Sequence, residues 1–177
     1  MDSREQLIEH MLILRCQMGD KDALTSLIER YQRPMWYFVS RLLDDRQASE
    51  DILQDVWLTV IKRIHALKKP EAFSTWLYRI ARNRIYHQLR KKKIQAELNE
   101  NIKIPEESEN DEICFDDVAK VHRCLRLLRR EHREVLMLRF LEQMSYQQIA
   151  EVLDCNLGTV RSRVYYAKLA LKKEMEK

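Results

Sequence analysis

The chain has 177 residues, 45% of them hydrophobic and 34% charged, with a formal net charge of +4. That is room for one ordinary domain or two small ones, with enough apolar residues for a core beneath a densely charged surface. Two glycines and three prolines are too few for the turns of a sandwich, a barrel or a nucleotide-binding α/β fold, so the predicted class is all-α with short connections.

Charge falls in blocks. Residues 1–96 hold 18 Lys/Arg against 12 Asp/Glu, residues 97–117 one Lys against nine Asp/Glu, and residues 118–177 13 Lys/Arg against seven Asp/Glu. Two basic blocks thus flank an acidic one. The expected organisation is a small helical domain over 1–94, an acidic flexible linker over 95–117, and a second small helical domain over 118–177.

In chain order, apolar residues recur at Leu7, Met11, Leu14 and Met18, the spacing of one helical face. Gly19 suits the position after a helix end, and Asp20 the cap of the next helix. Pro34 is expected to break or kink that helix, after which "PMWYFVSRLL" resumes. Asp44 or Asp45 caps a third helix that reaches about His65. On it Ile52, Val56, Val60 and Ile64 face inward, while Gln47, Asp51, Gln54 and Leu58 face outward. Leu58 stands alone in a polar row, and acidic residues there suit a basic partner and repel DNA.

Pro70 opens the segment leading into "TWLYRIARNRIYHQLRKKK", Thr75–Lys93. Phe73, Leu77, Ile80, Ala81 and Ile85 share one side of this helix. Arg79, Arg82, Asn83, Tyr86, Arg90 and Lys93 share the other, and Arg84 breaks the pattern by falling on the apolar side. One reading is a solvated charged face. Such faces mix acid and base, however, and no acid occurs between Ala72 and Ala96, so these cations repel one another unless an anion faces them. The other reading is a nucleic-acid surface, with arginines for phosphates, tyrosine for stacking and an amide for base edges.

Beyond the linker, helices are expected over 117–129 and in "REHREVLMLRFLE". Ser145 caps "YQQIAEVL", and Asn156 caps "LGTVRSRVYYAKLALKKEM". This pair fits a helix-turn-helix. Ile149, Ala150 and Leu153 pack the first helix, Asp154 takes the left-handed turn position, and Cys155 is expected to be buried. Val160, Val164, Ala167 and Leu171 form the inward face of the second helix. Thr159, Ser162, Tyr166 and Lys173 point away, with Arg161 and Tyr165 on the near flank. A recognition helix reads bases from residues near its N-terminus.

Enzyme motifs are missing. There is no Gly-rich phosphate loop, no HExxH and no CxxC, and the five histidines are far apart in sequence. Cys16, Cys114, Cys124 and Cys155 lack zinc-site spacing and are expected to be reduced thiols. Neither a cofactor nor a metal is expected. No run reaches the roughly 18 apolar residues of a membrane span, and "MDSREQLIEH" lacks the layout of a signal peptide. A cytoplasmic protein with no membrane insertion of its own is expected.

Together these segments resemble the extracytoplasmic-function group of bacterial RNA polymerase sigma factors. "ASEDILQDVWLTVIKRI" is similar to that family's polymerase-binding helix. "FSTWLYRIARNRIYHQLRKKK" is similar to the segment that melts and reads the −10 promoter element, and "LRREHREVLMLRFLEQMSYQQIAEVLDCNLGTVRSRVYYAKLAL" to the domain that reads the −35 element. The resemblance implies a promoter-directed initiation factor rather than an enzyme. Its implied partners are core RNA polymerase (β′ clamp helices and β flap), promoter DNA, and an anti-sigma factor that can hold it at the membrane. Asn83 aligns with the asparagine whose pocket takes a flipped non-template base. Lys68, Lys69, Trp76, Arg79, Arg82, Tyr86 and Arg90 fall in the −10 DNA-facing region. Thr159, Arg161, Ser162, Tyr165 and Tyr166 fall in the −35 region, and Asp51, Gln54, Asp55 and Leu58 on the face toward the clamp helices. The acidic linker is implied to follow a basic channel in the polymerase. The sequence departs from the family pattern at Arg129 and Arg130, at Asp154 and at Tyr166.

A conventional helix-turn-helix regulator is the nearest rival. It accounts for residues 145–173 but leaves the basic strip at 70–93 without a purpose.

Overall fold

A computed structural model describes residues 3–98 and 116–177. Most of the acidic linker, 99–115, lies outside the described residues. Every regular element among those described is helical: α1 Ser3–Gln17, α2 Lys21–Leu43, α3 Arg46–Arg63, α4 Phe73–Leu98, α5 Asp116–Leu127, α6 Arg130–Leu136, α7 Tyr146–Leu153 and α8 Leu157–Met175. The chain divides into two compact units. The first is built on α1, α2, α3, α4 as far as Tyr86 and the end of α7, and the second on α4 from His87, α5, α6, α8 and most of α7.

The corners of the first unit follow from local chemistry. Gly19 adopts φ +86°, the left-handed geometry that suits the end of α1. The Asp20 carboxylate then accepts from the backbone N–H groups of Asp22 and Ala23. The Ala23 N–H first, and the Arg15 guanidinium next, hold this carboxyl below its ordinary value. Asp44 ends α2 in the left-handed region at φ 52°, and Asp45 caps α3 by accepting from Ala48 N–H. The two aspartates that sequence left interchangeable therefore hold different posts.

Pro34 does not break α2, which runs unbroken from Lys21 to Leu43. A mid-helix proline costs about 3 kcal/mol. Tyr31, Met35, Phe38 and Val39 are all buried around it, and each such side chain returns about 1.5–3 kcal/mol. Tertiary packing thus overrides the local penalty. Against this helix lies α4: Phe38 meets Tyr78 edge-on at 5.1 Å and Tyr31 meets Phe73 at 5.4 Å. Leu77, Ala81 and Ile85 complete the buried row of α4.

The periodic face expected on α1 is real but points outward. Leu7, Met11, Leu14 and Met18 are 63%, 53%, 45% and 87% exposed, while Glu9, Ile13 and Cys16 are buried. At 100° per residue the two rows lie on nearly opposite sides of the helix. The buried row escapes a hydrophobicity reading because Glu9 interrupts it. Its carboxylate is matched inside by Arg30, whose Nε lies 3.3 Å away. Burial pushes the neighbouring Tyr31 phenol well above its ordinary value, and Glu9 adds to the shift.

In the second unit, Arg133 is buried and its guanidinium donates to the carbonyls of Arg126 and Leu128, at 2.6 and 3.3 Å. It satisfies acceptors at the end of α5 that the helix itself leaves open. Arg130 is the first residue of α6, and Arg129 precedes it without a side-chain cap. The helix expected through 142 instead passes into a π turn over Met137–Leu141. Arg139 donates to Met144 O at 2.8 Å and stacks on Tyr146, which leads the chain into α7.

Candidate nucleic-acid and polymerase interfaces

Two exposed rows of opposite character lie on α3 and α4. On α3, Asp51, Gln54, Asp55 and Leu58 are all exposed, at the i, i+3, i+4, i+7 spacing of one face. Ile52, Val56 and Val60 on the other side are buried. Beside this row a cleft of about 410 Å³ is lined by Gln32, Trp36, Arg46, Glu50, Gln54 and Trp57. Trp57 Nε1 donates to Gln32 Oε1 at 3.2 Å. Sequence reasoning missed this cleft. Its only advance signal is two tryptophans, one on each of two successive amphipathic helices.

On α4, Arg79, Asn83 and Arg90 are exposed, while Arg82 and Tyr86 are half-buried. The Arg82 guanidinium sits 4.5 Å above the Tyr86 ring, a cation–π pair that holds both side chains in one row. Trp76 is half-buried with its ring 6.1 Å from Phe73. Lys68 and Lys69 are exposed in the turn before α4, ahead of a 3₁₀ turn over Pro70–Ala72.

Arg84, which the wheel put on the apolar side, is exposed. It reaches α3, where its guanidinium lies 3.7 Å from the Asp55 carboxylate and 3.5 Å from Thr59 Oγ1. The position borders the core row rather than joining it, so the long side chain escapes along the α3–α4 seam. No sequence signal tied Arg84 to Asp55.

In the second unit, the turn before α7 is a reciprocal cap. Gln148 N–H donates to Ser145 Oγ at 3.2 Å and Ser145 N–H to Gln148 Oε1 at 2.9 Å. Ile149, Ala150 and Leu153 are buried, and Asp154 turns at φ 51°, as the helix-turn-helix spacing required. Cys155 is only half-buried, against the expectation of burial, because the residue after a left-handed turn lies at the surface side of the corner. Asn156 accepts from Thr159 N–H at 2.8 Å. Val160, Val164 and Ala167 of α8 are buried, and Leu171 is half-buried.

Four of the five side chains proposed for duplex reading are open: Arg161, Ser162, Tyr165 and Tyr166 are exposed. The two tyrosine rings meet edge-on at 5.4 Å. Thr159 is half-buried, and its hydroxyl donates to Asn156 Oδ1 at 2.9 Å, so part of its capacity serves the cap. An apolar groove of about 430 Å³ occupies the same unit, lined by Val121, Leu125, Met137, Phe140, Leu171 and Met175 among others. Sequence reasoning did not find it, because the π turn that exposes Phe140 and Leu141 is invisible to a regular helical wheel.

A basic strip interrupted by one amide, together with a capped helix-turn-helix, defines a two-unit DNA-binding protein. Sigma-70 region 2 matches residues 27–94 and sigma-70 region 4 matches residues 119–171. The chain is 32% identical to the ECF RNA polymerase sigma-E factor of Haemophilus influenzae over 192 residues, 97% of each chain. It is 31% identical to the RNA polymerase sigma-H factor of Pseudomonas aeruginosa over 95% of this chain and 94% of that one. Its fold is similar to that of the sigma factor RpoE of Bartonella quintana, solved with the anti-sigma factor NepR. That match has a TM-score of 0.76 at 22% identity and covers 86% of this chain and 96% of that one. It is also similar to CnrH, solved with the cytosolic domain of CnrY, with a TM-score of 0.69 at 20% identity over 96% and 97% of the two chains. The protein belongs to the sigma-70 family, in its extracytoplasmic-function group.

Proposed function

We propose that this protein joins core RNA polymerase and directs initiation at promoters, reading −35 duplex with the second unit and melting and reading the −10 element with the first. The observation that carries the reading is the contrast between the exposed rows of α3 and α4. The exposed row of α3 is acidic and polar around Leu58, whereas the exposed row of α4 is cationic around Asn83. An acidic row repels phosphate and suits a basic protein partner; a cationic row suits DNA.

In this mechanism α3 docks on the β′ clamp helices through Asp51, Gln54, Asp55 and Leu58. Unstacking a base costs a few kcal/mol. Lys68, Lys69, Arg79, Arg82 and Arg90 offset that cost by holding phosphates of the separated strand, with Trp76 and Tyr86 offering stacking surfaces. The Asn83 amide, with both donors and an acceptor, reads a captured base edge. Upstream, Arg161, Ser162, Tyr165 and Tyr166 sit in the major groove, with Thr159 supporting their start, and the apolar groove of the second unit receives the β flap. We assign residues 1–94 and 118–177 to the two roles, with 95–117 as the tether. The protein works in the cytoplasm without catalytic chemistry of its own. An anti-sigma factor restrains it there or at the membrane, as the complexes of similar folds suggest.

Retention of core polymerase on the tagged protein tests the docking face. Asp51→Arg combined with Leu58→Asp should lower retention at least tenfold without loss of helical signal. Unchanged retention would remove α3 from the polymerase interface.

A further inference from the structure

The outer row of α1, continued into the turn at Met18, has the spacing of a coiled-coil seam. Leu7, Met11, Leu14 and Met18 are separated by four, three and four residues, the alternation by which one helix presents knobs to another. All four are 45–87% exposed, and Ile8 beside them is 46% exposed. The opposite row, Glu9, Ile13 and Cys16, is already committed to the core. The helix therefore has two apolar sides and only one is covered. Single exposed leucines are ordinary, but five large apolar side chains in one contiguous stripe mark an interaction site.

Charge narrows the occupant. α1 carries two carboxylates: Glu5, exposed but on the side of the helix away from the seam, and Glu9, buried beside Arg30. The charged side chains bordering the seam are Arg4 and Arg15, both exposed, on the same flank as Ile8. Arg15 shares its charge with Asp20 at 2.7 Å. A second copy of the chain brings no carboxylate from its own seam to either arginine. A membrane surface calls for a wide apolar face immersed among lipids. Here the stripe is narrow and the rest of the helix is packed into protein.

We infer that the Leu7–Met11–Leu14–Met18 seam docks an amphipathic helix with acidic flanks, supplied by a regulatory protein that binds this chain apart from the polymerase. The choice of a regulator over the polymerase rests on the proposed function, which assigns polymerase and DNA to α3, α4, α8 and the second-unit groove and leaves this seam unused. The methionines suit such a role because an unbranched thioether adapts to irregular partner surfaces.

The test uses the purified full chain and two synthetic three-heptad peptides with leucine at the a and d positions. One carries glutamate at e and g and the other lysine, so that neither pairs with itself. Fluorescence anisotropy should show the glutamate peptide binding at least tenfold more tightly than the lysine peptide. Leu7→Gln with Leu14→Gln should abolish that binding, while transcription by reconstituted core polymerase stays unchanged. Should that variant fold poorly, Arg4→Glu alone decides the charge argument by weakening the glutamate peptide and strengthening the lysine peptide. The inference is overturned if neither peptide binds or both bind equally. It is also overturned if the seam variant abolishes a concentration-dependent dimer, or abolishes binding to phosphatidylglycerol vesicles. Reduced core-polymerase retention in the seam variant would assign the face to the polymerase instead. Failure of transcription by the unaltered protein would overturn the proposed function while leaving the peptide result standing.

Discussion

Asn83 is exposed on α4, one helical turn from Arg79 and next to Arg82, which is held over Tyr86. Asn83 stands outside the buried row of α4, and the proposed function gives its amide a base edge to read. Asn83→Ala should leave the melting temperature and core-polymerase retention unchanged and lower transcription from the cognate promoter at least tenfold. Unchanged output would remove its reading role. Asp20 shows the opposite case, a residue whose work is entirely internal. Its carboxyl is held low by the Ala23 N–H and the Arg15 guanidinium. Its contribution is therefore complete above the unfolded carboxylate value near 3.9 and disappears as pH falls through the lower folded value. Asp20→Asn should accordingly lower the melting temperature at neutral pH, and the gap to the unaltered protein should close below about pH 4. A gap that persists in acid would show that the cap does not act through its charge.

At the scale of elements, periodicity is a sound guide to which residues share a face and a poor guide to which face is buried. On α3 and α4 the outward row is polar apart from Leu58, so the inward side is legible. On α1 both rows are apolar, and Glu9 disguises the one that is buried. Pro34 misleads for a related reason, because a local rule loses to the packing of Tyr31, Met35 and Phe38 around it. The groove of the second unit was hidden by a change of helical pitch at Met137–Leu141, and the Arg84–Asp55 contact by the length of an arginine side chain. Caps fared better, since Asp20, Ser145 and Asn156 each act within three residues of their own position. The cationic row of α4 carries its own prediction. Arg79→Ala and Arg90→Ala should each weaken DNA binding on all sequences alike and reduce the slope of log affinity against log salt by about one. A sequence-selective loss with an unchanged slope would assign these arginines to base reading instead.

At the scale of the molecule, two modest DNA surfaces on separate units gain strength from being tethered, because the second contact forms at the effective concentration the linker sets. On the proposed division of the chain, the nine acids of residues 97–117 would keep that tether from competing for phosphate. Promoter selection is the property on which both units converge, and transcription from a genomic promoter library by core polymerase reconstituted with this protein tests it most directly. The predicted result is initiation at a small set of promoters sharing two elements, at −35 and −10. Asn83→Ala should relax or abolish selection at −10 alone, and Arg161→Ala with Tyr165→Ala at −35 alone. Initiation no more selective than with core polymerase alone, or one variant altering both elements alike, would contradict the division of labour between the two units.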